Sequence, residues 1–290
     1  MGIVRPREKF FDPDIGPGSG LEVVLRHVPD QTVDAWFLER RIAYRDDHLG
    51  VIEVPRNKAT FVTDLTSVPQ MFTWLVPRTG SHLAAALVHD ALTPPFSEGE
   101  LPDWTGPAAV SQVQADRVMR DGMRDLGTPR IRRWLVWSAI SIPTAYKVNR
   151  VQGVLAYLSL VAIAVIGWFA TVDLFDQGAW LFWMGTRPWN EEVLLGGVMA
   201  VAVACALSLL WPTGVRSAGL ITGVSIAALL HVTVAVGAIS FAYQIAEFGL
   251  GVWAPSGTAK HKVLSSLIKI GLTLAAAGVV VLTILMCRRY

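Results

Sequence analysis

The stretch VLAYLSLVAIAVIGWFATVDL, residues 154–174, decides the architecture. A helix needs roughly 20 apolar residues to cross the hydrocarbon core of a bilayer. This run supplies them with one charge, Asp173, near its end. It is apolar all round rather than along one stripe, which separates it from an ordinary surface helix. Three further runs have the same character: Val193–Trp211, Ala218–Tyr243 and Val263–Met286. A helix satisfies its own backbone polar groups inside lipid. The four runs therefore predict an all-α transmembrane bundle of four helices over residues 151–290, with the lipid bilayer as a partner.

Outward from these runs, the charge distribution divides the chain. Charged residues make up 17% of its 290 residues, against about 25% in an ordinary soluble protein. Residues 1–150 hold 18 Lys+Arg and 18 Asp+Glu, whereas residues 151–290 hold 7 and 5. The chain thus reads as a neutral domain of ordinary charge density over 1–150, followed by a membrane domain over 151–290. This composition excludes a disordered chain, a collagen-like repeat and a nucleic-acid tail, and it argues against a wholly soluble enzyme. Without a basic patch, no nucleic-acid partner is expected. Cys205 and Cys287 lie in apolar runs and do not suggest a disulfide framework. No apolar segment follows Arg5, Arg7 and Lys9, so a cleaved secretory leader is not expected.

Lys and Arg concentrate in cytoplasmic loops. Placing both termini inside puts Arg130, Arg132, Arg133, Lys147, Arg150, Arg216, Arg288 and Arg289 inside, and Arg187, Lys260 and Lys262 outside. Residues 1–150 are therefore expected to be cytoplasmic. Trp180, Phe182, Trp183 and Trp189 crowd the first external loop, where tryptophan favours the water–lipid interface, and a short interfacial helix is expected there. Gly196, Gly197, Ala200 and Ala204 predict close helix packing. His231 is an ionisable residue within a span. With no carboxylate inside any span but the terminal Asp173, it reads more readily as a hydrogen-bonded neutral group than as part of a proton relay.

The soluble half reads as α+β, a small antiparallel sheet followed by helices. LEVVL (Leu21–Leu25), AWFLERRIAY (Ala35–Tyr44) and GVIEVP (Gly50–Pro55) have strand composition and are separated by turn residues. Ser67-Val-Pro-Gln70 has the form of a capping box and predicts a short helix through Leu75. Ser81–Leu92 predicts a second, strongly apolar helix. Ala108–Leu126 predicts a third, ended by Gly127, and Arg130–Tyr146 a fourth that leads toward the spans.

The runs WFLERRIAY, GVIEVPRNKATFVTDLTSVPQMFTWLVP, GSHLAAALVHDAL and ADRVMRDGMRDLGTPRIRRWLVW occur in that order between Trp36 and Trp137. This region resembles the domain-of-unknown-function family 1353, found in tailed phages and bacterial prophages. The resemblance covers about 110 residues of the soluble half. It implies a fold and a phage or prophage context, and it attaches no activity. The four-span tail lies outside it.

Asp64, Ser67, His82, His89, Asp90 and Asp116 are the polar residues that can carry chemistry. His89-Asp90 stands in an apolar helix, where charge is costly. His82 and His89 are seven apart, two turns along one helix face. One reading is a metal site on His89, Asp90 and Asp116, in which a divalent metal ion activates water for hydrolysis with Asp64 nearby. LVHDAL looks like the His-Asp pair of metal-dependent phosphohydrolases, although that superfamily uses an earlier helical histidine and no preceding sheet. A second reading makes Ser67 a nucleophile with His89 and Asp64 or Asp90, but Ser67 lacks the strained G-x-S-x-G turn and its capping role already explains it. The third is a buried network in which His89 donates to Asp116 or Asp64 and Asp90 pairs with Arg117 or Arg120.

Three functions follow. The soluble half is a binding or assembly module that docks a protein partner; or it is a metal-dependent hydrolase; or the spans act as a membrane-perturbing, holin-like homo-oligomer. No Walker A loop, G-x-G-x-x-G after a strand, C-x-x-C or H-E-x-x-H occurs, so nothing favours nucleotide or structural zinc sites.

Overall fold

In a computed structural model, residues 6–28, 35–59, 61–63, 65, 77, 79–93, 102–107, 109–174, 176 and 178–249 are described. Their contacts divide the chain into two units. The first comprises residues 1–156 together with 211–221, and the second residues 157–210 together with 222–290.

In the first unit the strands make two antiparallel sheets rather than one. β1 (Phe10–Phe11), β4 (Ile42–Asp46) and β5 (Gly50–Val54) form a sheet in the order β1-β4-β5. β2 (Leu25–Val28), β3 (Ala35–Leu38) and β6 (Val62–Thr63) form the other in the order β2-β3-β6. The run Ala35–Tyr44, expected as a single strand, is therefore two strands in different sheets. The break falls at Glu39-Arg40-Arg41. Three consecutive charged residues cannot alternate between a buried and a wet face. Arg40 pairs with Glu22, and Arg41 with Asp14 and Glu53, as the chain passes from one sheet to the other. Beyond the break, Ile42, Ala43 and Tyr44 are all buried, so both faces of β4 are covered. The expected strand at Leu21–Leu25 is shifted, because the partner β3 sets the register from Leu25 to Val28.

α1 (Leu83–Leu92) buries Ala84 through Val88, Ala91 and Leu92, covering most of its circumference. α2 (Gln112–Asp125) begins at a full capping box: Ser111 Oγ accepts from the Gln114 N–H, and Gln114 Oε1 accepts from the Ser111 N–H. It ends as expected at Gly127, whose N–H reaches the Arg124 carbonyl while the Thr128 N–H reaches that of Met123. The predicted start at Ala108 is too early, because the capping serine resets the boundary to Gln112. α3 (Arg130–Val148) follows and carries Pro143 within it. The helix predicted from Ser67 to Leu75 lies outside the described residues.

α4 (Arg150–Leu174), α5 (Trp189–Ser208) and α6 (Arg216–Gly249) coincide with the first three apolar runs. Among the described residues, three segments are long and apolar enough to cross a membrane: Arg150–Leu174, Trp189–Ser208 and Thr213–Leu230. The fourth run, Val263–Met286, and Cys287 lie outside the described residues, as does the side chain of His231 on α6. Within the second unit, small residues set the helix packing. A Cβ on Gly223 would come within 2.9 Å of Ile163 Cδ1 and 3.0 Å of the Ala204 Cβ, so the helices pack tightly over this glycine. Ala204 is in close contact as expected. Gly196 and Gly197 are not; with Ala200 they line a cavity of about 360 Å3 that also touches Gly167, Asp173 and Arg187. The aromatic loop holds turns rather than the expected interfacial helix among its described residues. Trp180 stacks on Phe169 at 5.6 Å, and Phe182 remains exposed.

Candidate functional site

The site is set by how closely α2 approaches α1. A Cβ on Gly122 would lie 3.2 Å from the Ala85 Cβ and 3.0 Å from the Phe10 ring. Glycine therefore permits a tighter contact than a residue with a Cβ would make without its neighbours giving way by a few tenths of an ångström. Ala85 lies one turn before His89 on α1, and Gly122 lies beyond Asp116 on α2. The approach brings His89 Nε2 to 2.9 Å from Asp116 Oδ1.

The Asp116 side chain is 1% exposed and that of His89 12%. Asp116 is acceptor-only as a carboxylate, so Nε2 carries the proton and donates it. The second carboxylate oxygen, Asp116 Oδ2, is buried and has no partner among the described residues. The other ring nitrogen, His89 Nδ1, bonds to no described residue. The Thr93 hydroxyl donates to the His89 carbonyl at 2.9 Å, tying off the end of α1.

Asp90 faces elsewhere. Its Oδ2 accepts from the Thr63 hydroxyl at 2.7 Å, and Thr63 Oγ1 accepts from the Leu65 N–H at 3.0 Å. The expected pairing of Asp90 with Arg117 or Arg120 is corrected by this geometry. Arg117 holds Asp46, and Arg120 bonds Asp121 and lies over the rings of Trp134 and Trp137 at 5.3 and 5.4 Å. Asp64 and Ser67 lie outside the described residues. His82 and His89 sit at opposite ends of α1, with His82 as the N-cap residue. His82 is fully buried, and neither ring nitrogen has a partner of normal geometry among the described residues. Burial holds its pKa below the ordinary value, the nearby Pro77 carbonyl opposes this weakly, and Arg132 reinforces it.

A second set of polar residues was not singled out in the sequence. Arg117 clamps Asp46 with two bonds of 2.8 and 3.0 Å, joining α2 to the β4–β5 turn. The His48 and Leu49 N–H groups also donate to Asp46 Oδ1. Burial alone pushes the Asp46 carboxyl up, but the guanidinium and the two N–H groups hold it below its usual value. The Tyr44 hydroxyl donates to buried Asp125 at 2.9 Å, and Arg124 bonds the other oxygen of Asp125. Burial first, and the adjacent Asp125 charge second, push the Tyr44 phenol far above its ordinary value. The one sequence signal for this network was the run of acids and bases in RVMRDGMRD, which a solvated helix face explains equally well.

Chemically, His89 and Asp116 form an oriented imidazole–carboxylate pair in which one carboxylate oxygen is buried without a partner among the described residues. His89, Asp90 and Asp116 do not converge on one point, because Asp116 takes Nε2 and Asp90 turns to Thr63. Among the described residues no group of three His, Cys, Asp or Glu side chains is placed to hold a metal ion.

Residues 36–140 match the family model described as "Protein of unknown function (DUF1353)". The match runs from β3 into α3, spans His89, Asp90 and Asp116, and leaves α4–α6 outside. No curated protein and no solved structure matches the chain.

Proposed function

We propose that the chain is an integral membrane protein of phage or prophage origin whose N-terminal domain works in the cytoplasm as a binding or assembly module. The observation that carries the membrane reading is the exposure of its apolar helices. Only between 11% and 28% of the residues in the three candidate spans are buried within the chain. Leu158, Val161 and Val165 on α4, and Leu194, Val198 and Val201 on α5, face outward. In water such a surface is strongly unfavourable; in lipid it is ordinary. The placement of the α5–α6 turn supports the topology. A Cβ on Gly214 would lie 3.6 Å from Val113 of α2, which puts this turn, with Arg216, beside the N-terminal domain. The phage context rests on the family resemblance of residues 36–140.

Two readings of the domain each have support. The binding or assembly reading draws on buried acids bonded within the domain: Asp46 to Arg117, Asp116 to His89 and Asp125 to Tyr44. Networks of this kind fix one packing of sheet on helices and leave the exterior for a partner. The hydrolytic reading draws on one observation, the bond between His89 and a buried carboxylate whose second oxygen has no partner among the described residues. The topology is tested with single cysteines in a chain whose native cysteines are replaced. A cysteine at position 214 is expected to label only from the cytoplasmic side, and one at position 179 only from outside. The opposite pattern overturns the proposal.

A further inference from the structure

We infer that α3 is an interfacial helix, lying along the membrane surface with its apolar stripe in the lipid and its bases on anionic headgroups. The inference rests on the membrane reading above and names a lipid class that the N-terminal domain binds. α3 carries a stripe that the domain leaves open. At about 100° per residue, Ile131, Leu135, Ala139, Ile142, Pro143 and Tyr146 share an arc of about 120°. Ile131 is 77% exposed and Tyr146 43%. Ala139 and Pro143 are exposed as well, and Leu135 and Ile142 are half-buried. Trp137, Ser138, Ser141, Thr144 and Ala145, on the other side, are buried. A continuous apolar stripe left open on a helix marks a surface that a partner or a membrane covers.

Two observations identify the cover. The first is where α3 meets the spans. Asn149 is extended, with φ −151° and ψ 115°, and its side chain accepts from the Gln152 N–H at the start of α4. A Cβ on Gly153 would lie 2.3 Å from the Tyr146 Cα, so the chain turns a tight corner here instead of running on as one rod. Val148, Val151 and Val154 are exposed around this corner and carry the apolar surface into α4. Lys147 bonds Gln112 at 3.0 Å, and Val113, next to Gln112, packs on Gly214 of the α5–α6 turn. The start of one span and the turn between the other two thus meet at the C-terminal end of α3, where the membrane begins. The second observation is charge. Arg130, Arg132, Arg133, Lys147 and Arg150 fall between Asp125 and Asp173, and no Asp or Glu does. Arg132 borders the stripe, and Lys147 and Arg133 follow beyond its edge. The acids at the end of α2, Asp121 and Asp125, are already held by Arg117, Arg120 and Arg124. An apolar stripe edged by bases, without an acid, suits an anionic leaflet. A soluble partner would have to share this face with the bilayer that the corner places beside it.

The test uses the full chain, its native cysteines replaced, in lipid nanodiscs of phosphatidylcholine and phosphatidylglycerol. A nitrobenzoxadiazole fluorophore is attached singly at Ala59→Cys, Ala139→Cys or Val154→Cys. Phosphatidylcholine or phosphatidylglycerol carrying a doxyl group on the acyl chain is the quencher. Quenching is expected at 139 and 154 and not at 59, which is exposed on the domain. At 139 the doxyl phosphatidylglycerol is expected to act at about one-fifth of the lipid share that doxyl phosphatidylcholine needs, the preference given by one base at the surface. Replacing Arg132, Arg133 and Lys147 together by Gln is expected to reduce that preference to below about two-fold and to leave quenching at 154 unchanged. Should this variant fail to fold, raising salt from about 0.05 to about 0.5 M on the unaltered chain must reduce the preference instead. Quenching at 154 without quenching at 139 overturns the inference and keeps the membrane reading. Equal quenching at 139 by the two lipids removes the headgroup assignment and overturns it too. Excimer emission from pyrene at 139 in discs holding two chains, without lipid quenching, gives the face to a second copy and overturns it. No quenching at any of the three positions overturns both the inference and the membrane reading.

Discussion

Asp46 and Asp116 are both buried carboxylates at α2, and they are built to opposite ends. Asp46 accepts two bonds from Arg117 and two from backbone N–H groups, so its charge is fully engaged. Asp116 accepts one bond from a histidine and leaves an oxygen unused. Arg117, which satisfies the first, is the residue next to the second in sequence. One helix thus presents a closed ionic clamp and a carboxylate with a spare oxygen on neighbouring positions. The difference separates a group that holds the fold from one that holds a proton donor in place.

The sharpest way to break this comparison is to open the closed side. Arg117→Ala leaves the Asp46 charge buried with only its backbone donors. The expected loss is about 3 kcal/mol, the lower end of the range for a broken buried pair because Arg117 is partly exposed. Thermal or denaturant unfolding measures it, and a loss under about 1 kcal/mol would remove the distinction. Next in size is the shared placement of both sites. Gly122→Val forces α2 away from Ala85 and Phe10, with an expected cost of about 2 kcal/mol. It should also lengthen the His89–Asp116 contact, which a structure of the variant would reveal.

The pH dependence gives a smaller effect with a defined sign. The Asp46 carboxyl lies below its ordinary value in the fold. Its stabilisation is therefore present above the unfolded pKa of about 3.9 and is lost as pH falls through the lower folded value. Stability measured from pH 6 to pH 3 should decline on this account, and the decline should flatten in Asp46→Asn. An unchanged slope would refute the role of the clamp. The smallest stability effect is expected on the open side. Asp116→Asn keeps an acceptor for the His89 N–H, so the expected change is below about 1 kcal/mol. A loss as large as that of Arg117→Ala would make Asp116 another structural clamp.

Some of this was written locally. Ser111 and Gln114 make their reciprocal bonds three residues apart, and Gly127 ends α2, because capping depends only on nearby residues. The apolar runs are equally local. The division of Ala35–Tyr44 into two sheets was not legible, since strand composition fits either side of the break and only pairing decides the sheet. At the site, the sequence named His89 and Asp116 and allowed their bond among alternatives. It misplaced Asp90, because a charge in an apolar helix signals a partner without saying which. It passed over Asp46, because an acid at a hairpin turn looks like an ordinary solvated turn residue.

The sequence by itself determined an α+β region without charge excess and helices apolar enough for lipid, because composition and period act over a few residues at a time. Only the tertiary structure decided that Asp116 meets His89 across 27 residues and that Arg117 meets Asp46 across 71. Those distances depend on how closely two helices approach over a glycine and how a hairpin turns back on them. Spacing along a chain carries no measure of distance across its loops.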